Sequence, residues 1–166
     1  APMRVHVQIT GRRIAPFGDA PGDVRIANQS LADWQARAFR EAGLTVVETP
    51  EAPCLVVPDT LFTTGPVLRR FVDGAQGRNA VLGLAESVFG RRACHVQPGV
   101  EAVEGGWRFD AVRFVSGGDE PATTVWIDPE EQVVDFDLPA VFRPPDGDVR
   151  VALARHPVLT IHHWVH

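Results

Sequence analysis

Three neighbouring residues and one distant carboxylate carry the clearest chemistry in this chain. Gly11, Arg12 and Arg13 follow the first apolar stretch, and Pro16 closes the same segment, ITGRRIAP. A glycine lets backbone N–H groups approach an anion, and arginine presents a charged fork suited to phosphate oxygens. Asp59 ends the apolar run CLVVP. A carboxylate there suits Mg²⁺ together with water and phosphate oxygens. It equally suits a cap on the turn Asp59-Thr60-Leu61-Phe62.

Ligands of open α/β sheets bind beyond the carboxyl ends of the strands, so strands must precede both segments. RVHVQI (4–9) alternates apolar and polar residues and reads as a strand. SLADWQARAFREAG (30–43) reads as a helix. Ser30 and Asp33 form an S-x-x-D cap, Leu31, Trp34, Ala38, Phe39 and Ala42 share one face, and Gly43 supplies the stop. Asp33 and Arg37 are spaced as an i,i+4 ion pair, and Trp34 reads as a core anchor.

LTVVE (44–48) and CLVVPD (54–59) read as strands, the second buried on both faces. Thr64-Gly65-Pro66 opens a second helix with Leu68, Phe71 and Val72 inward and Gly74 as its end. NAVLGL (79–84) is the next strand. Two hairpins are expected beyond it, one around Gly105-Gly106 and one around Asp128-Pro129. VRVAL (149–153) reads as a strand, PVLTIHHWVH (157–166) as a strand or short amphipathic helix, and Pro144–Gly147 as a loop. The expected fold class is α/β. It is a single domain over 1–166, with a mixed, mostly parallel sheet flanked by helices in the N-terminal half and antiparallel strands in the C-terminal half.

Composition narrows the function. Of 166 residues, 45% are hydrophobic and 22% charged, which fits a folded domain. All 16 basic residues are arginine, so no lysine-dependent mechanism can run in this chain. The formal charge is −5, concentrated in the second half, which argues against general nucleic-acid binding. No apolar run reaches membrane-spanning length, and a cytoplasmic location is expected. Cys54 and Cys94 read as reduced, buried thiols. His162, His163 and His166 could share a metal on a helix, but exposed histidines beside Trp164 are the favoured reading. His6 reads as a hydrogen-bonded strand residue. There is no G-x-S-x-G elbow for a serine hydrolase.

The loop and the Asp59 strand together resemble sugar-nucleotidyltransferases, such as the uridyltransferase domain acting on N-acetylglucosamine-1-phosphate. Gly11-Arg12-Arg13-Ile14-Ala15-Pro16 is similar to the G-T-R-L-x-P part of that family's loop. IANQSLADWQARAFREAGL is similar to the stretch entering its first helix, and LVVPDTLFTTGPVLRRFV to its later strand, Asp and helix. The resemblance covers residues 4–90. It implies a nucleotide or sugar-phosphate ligand at Gly11, Arg12 and Arg13, pyrophosphate neutralisation by Arg13, and Mg²⁺ on Asp59. Ile9 stands where the family has a loop glycine. The family's lysine position falls at Gly22-Asp23, and only residues 49–53 separate two strands that the family spaces with a further strand–helix unit. The implied transfer activity is therefore weak, altered or lost. The alternative is a non-catalytic structural or interaction domain, excised from a larger acyltransferase-containing protein, with a protein partner or attached second domain.

Overall fold

The strand at the centre of the N-terminal half is where the chain changes direction. The computed structural model describes residues 2–136, 138–143 and 150–163. Strand β1 is Met3–Gln8; the short strands β2 (Arg25–Ile26) and β3 (Gln29–Ser30) follow, then helix α1 (Leu31–Ala42) and β4 (Leu44–Val46). Next come β5 (Cys54–Pro58), β6 (Leu61–Phe62), α2 (Gly65–Ala75), β7 (Ala80–Ala85) and α3 (Val88–Ala93). The remainder is β8 (Val100–Val103), β9 (Gly106–Val115), β10 (Thr123–Ile127), β11 (Glu131–Asp135), β12 (Arg150–Ala154) and β13 (Leu159–Thr160).

The main sheet has the order β10-β7-β9-β5-β1-β4, with β8 paired to β9. β1 pairs in parallel with β4 on one side and β5 on the other, and β7 pairs in parallel with β10. β9 is antiparallel to β5, β7 and β8. The fold class is thus the mixed α/β arrangement expected. From β1 the chain steps through α1 to β4 on one flank, then crosses to β5 on the other. That makes the β1/β5 boundary the topological switch point, where open α/β sheets form their ligand crevice.

α1 forms where its sequence pattern places it. Ser30 Oγ accepts from Asp33 N at 3.1 Å, and Gly43 closes the helix at φ 72°. Arg37 pairs with Glu41 at 2.8 Å rather than with Asp33. Both orders are i,i+4, and Glu41 lies one turn nearer the C-terminus of the helix. Trp34 is only half-buried; its indole N–H donates to Ile26 O at 2.8 Å and its ring meets Phe62 edge-on. Leu31, Ala38 and Phe39 are buried, as is Gln35.

α2 runs one residue beyond Gly74 and ends at Gln76 in the left-handed region, φ 51°. Gly74 serves packing instead. A Cβ there would sit 2.5 Å from Val125 Cγ1, so glycine lets α2 rest closely on β10. Phe39, Leu68 and Phe71 join Val5, Leu55, Leu82, Phe109 and Phe114 in one core that spans both halves of the chain.

The hairpin expected around Asp128-Pro129 does not form. β10 joins the main sheet beside β7, and β11 pairs instead with β12 in a separate two-stranded ribbon. Two local features separate them. Glu130 adopts φ 47°, with its N–H donated to Asp128 Oδ1 at 2.8 Å, which turns the chain out of the sheet. The Glu131 carboxylate then accepts from Val88 N and Phe89 N at 2.9 and 2.8 Å, tying β11 to the first turn of α3. The Gly105-Gly106 hairpin forms as expected, joining β8 to β9. The C-terminal stretch is extended at β13, and the described residues up to His163 form no helix there. His166, Trp164, Val149 and the Pro144–Gly147 loop lie outside the described residues.

Candidate functional site

The residues between β1 and α1 fold into a loop anchored from below. Ile14 is fully buried and packs with Val24, Leu31 and Ile161 in a small second core. Ile14 N donates to Asp19 O at 2.9 Å, Gly18 N to Ile14 O at 2.8 Å, and Ala15 N to His162 O at 3.1 Å. The buried isoleucine between Arg13 and Ala15 fixes the segment, while Gly11, Arg12 and Arg13 stay exposed on its outer side. Gly11 adopts φ 69°, and a Cβ there would meet no heavy atom within 4 Å, so backbone conformation rather than space favours glycine.

Asp59 arrives at the same place from β5. Its N–H donates to Gln8 O at 3.0 Å, continuing the β1/β5 pairing past the strand ends. Its Oδ1 accepts from Thr10 Oγ1 at 2.7 Å, and Thr10 Oγ1 accepts in turn from Arg12 N at 3.3 Å. Thr10 therefore couples the loop to the carboxylate. From the α1 side, Gln35 Nε2 donates to Asp59 O at 3.0 Å and Leu61 O at 2.8 Å, with Pro58 O at 3.5 Å. This buried amide pins the backbone on which Asp59 sits.

Gly11, Arg12, Arg13 and Asp59 line one cleft of ≈ 390 Å³, together with Gln35. The remaining wall is Val7, Ile9, Ala20, Pro21, Gly22 and Ala32. The four candidate phosphate- and metal-site residues Gly11, Arg12, Arg13 and Asp59 lie together here, from two segments far apart along the chain. Ile9 projects outward, 77% exposed, as part of the wall. Gly22 belongs to a one-turn 3₁₀ segment, Pro21–Asp23, and Asp23 is exposed away from the lining.

The electrostatics are simple. Arg12 and Arg13 form no ion pair among the described residues, and Asp59 is the single carboxylate in the lining. No cluster of three or more His, Cys, Asp or Glu side chains able to hold a metal occurs among the described residues. Both cysteines are buried and unbridged; burial pushes the Cys94 thiol up to about 12 and raises Cys54 as well, so neither supplies a thiolate nucleophile at neutral pH. His6 Nδ1 lies 3.2 Å from Val47 O, the strand-bound hydrogen bond expected.

Thr10 and Gln35 are the two members that sequence reasoning missed. Gln35 had a signal: a polar residue at the core-facing i+4 position from Leu31, where burial demands a partner. Thr10 is one residue before Gly11, and its contact with Asp59 depends on strand pairing. Neither a protein-family model nor a curated protein sequence matches this chain. No helix among the described residues is long and apolar enough to cross a membrane.

Proposed function

We propose that the cleft between the Gly11–Arg13 loop and Asp59 binds a nucleotide or sugar phosphate. One observation carries the reading: a glycine in a left-handed turn, two arginines with no ion-pair partner among the described residues, and a carboxylate converge at the switch point of the sheet. Arginine forks held at the rim of a crevice neutralise phosphate oxygens, and a loop anchored through buried Ile14 holds them in place before the ligand arrives.

The donor set also bears on Mg²⁺. Asp59 Oδ1 is engaged by Thr10, which leaves Oδ2 as the carboxylate oxygen without a hydrogen bond among the described residues. Mg²⁺ commonly keeps its waters and uses one or two carboxylates plus substrate phosphates, so Asp59 fits an ion that comes with the ligand. Bound in that way, the ion would supply charge neutralisation on the phosphates. Arg13 would meet the anionic group, Thr10 would orient Asp59, and Gln35 would fix the strand end. Nucleotidyl transfer at this cleft would run on these groups without a lysine. Two unbridged, buried cysteines support a reducing, cytoplasmic setting.

A second reading rests on a different observation. Phe136, Val141, Phe142 and Leu153, in the C-terminal half, are 51–80% exposed, which suits a non-catalytic module that meets a protein partner. Calorimetric titration with nucleoside triphosphates and nucleotide sugars, with and without Mg²⁺, separates the two. Saturable binding weakened by Arg13→Ala, with a Mg²⁺-dependent part lost in Asp59→Ala, is the result expected. No heat of binding up to millimolar ligand would leave the interaction module as the better reading.

A further inference from the structure

The lining of the cleft limits what it can distinguish, and this inference rests on its reading as a nucleotide site. We infer that the cleft takes nucleotides with little regard to the base, holding the phosphate by charge and the base by apolar contact.

The lining contains four hydrogen-bonding side chains, Arg12, Arg13, Gln35 and Asp59. The Gln35 amide nitrogen is spent on the carbonyls of Asp59 and Leu61, with Pro58 beside them. Asp59 Oδ1 accepts from Thr10, and Oδ2 is the oxygen left for an ion carried in with the phosphate. Among the described lining residues the two arginines carry the positive charge, and they are the groups a phosphate would claim.

The rest of the wall offers no polar side-chain atom: Val7, Ile9, Ala20, Pro21, Gly22 and Ala32. Its backbone is partly occupied too. Ala20 O and Pro21 O already accept from Asp23 N and Val24 N at 3.0 and 3.3 Å, and Pro21 has no N–H.

Strong discrimination between similar ligands comes from buried polar groups left unpaired by the wrong ligand, worth roughly 10⁴–10⁵-fold, whereas apolar pockets separate ligands far less. Flat apolar contact suits every base, because each has a π-face. Ile9 fits the same pattern. With its side chain 77% exposed on the cleft wall, it offers apolar surface that a bound base can cover.

The test is calorimetric titration of the whole chain with the four ribonucleoside monophosphates and with ribose phosphate, in Mg²⁺, repeated on Ile9→Ser. The expected result is four nucleotide affinities within about threefold of one another, with ribose phosphate at least about tenfold weaker. Ile9→Ser should weaken all four by a similar factor and leave ribose phosphate unchanged. One base preferred by more than about tenfold would overturn the inference, as would ribose phosphate binding as tightly as the nucleotides. In either case the phosphate-binding reading of the cleft would stand. Failure of all five ligands to bind would remove both.

Discussion

The Arg70–Arg155 pair and the Arg12–Arg13 pair are used in opposite ways. At the first, Arg70 Nη1 meets Glu130 Oε1 at 2.9 Å, Arg155 Nη1 lies 3.7 Å from Glu130 Oε2, and buried His156 Nε2 lies 3.3 Å from the same oxygen without the alignment of a hydrogen bond. Here the protein supplies its own anion. The Glu130 carboxyl is held below the usual carboxylate range, first by its hydrogen bond to Arg70 and then by the surrounding positive charge. At the other place, Arg12 and Arg13 stand on an anchored loop beside a cleft, with no carboxylate paired to them among the described residues. The same residue type joins α2 to the turn before β11 in one region and stands without a carboxylate partner among the described residues in the other.

That contrast is broken most directly at Arg12 and Arg13. Replacing both by Gln should weaken a phosphate ligand by about tenfold to a hundredfold, the range expected for losing charge-assisted hydrogen bonds. The melting temperature should stay within about 2 °C, because neither side chain is buried. Titration calorimetry and a thermal melt of the same sample read both effects.

Gln35→Leu should do the reverse. It removes the donor shared by the Asp59 and Leu61 carbonyls in a buried position, at a cost of about 1–3 kcal/mol of stability. Urea unfolding measures that loss, and ligand binding should weaken only as far as Asp59 shifts.

Arg70→Ala should produce the smallest change: no effect on ligand binding and a slight fall in melting temperature, as for an exposed ion pair. The pH dependence at Glu130 has a definite sign. Its folded pKa is depressed, so its contribution is present above the ordinary glutamate value and lost as pH falls through the lower folded one. The Glu130→Gln protein should therefore show a shallower acid limb in melting temperature than the parent, and an unchanged limb would refute the role of this contact.

How much of the molecule is legible in its sequence depends on whether the signal is local. Helix α1 is legible because Ser30, Gly43 and the apolar face act within one segment. Gly11, Arg12, Arg13 and Asp59 are legible as types that do phosphate chemistry, and their place after strands follows from alternation at 4–9 and a continuous apolar run at 54–58. The Asp128-Pro129 region misleads because both flanks look like strands. Only the long-range partners β7 and β12, and the capping of α3 by Glu131, decide that they belong to different sheets. Gly74 misleads for the same reason. A glycine near a helix end reads as a stop, yet here it answers to Val125, far along the chain. Thr10 gains its importance only when β1 pairs with β5.

On the proposed function, the cleft at the β1/β5 switch point, and not the Glu130 cluster, receives a phosphate-bearing ligand. Amide chemical-shift mapping of the isotope-labelled chain against a nucleoside triphosphate with Mg²⁺ tests it in one spectrum series. The expected result is saturating shifts centred on Gly11, Arg12, Arg13, Gly22 and Asp59, with Arg70, Glu130 and Arg155 unmoved. Shifts centred on Arg70 and Arg155, or none at saturating millimolar ligand, would contradict it.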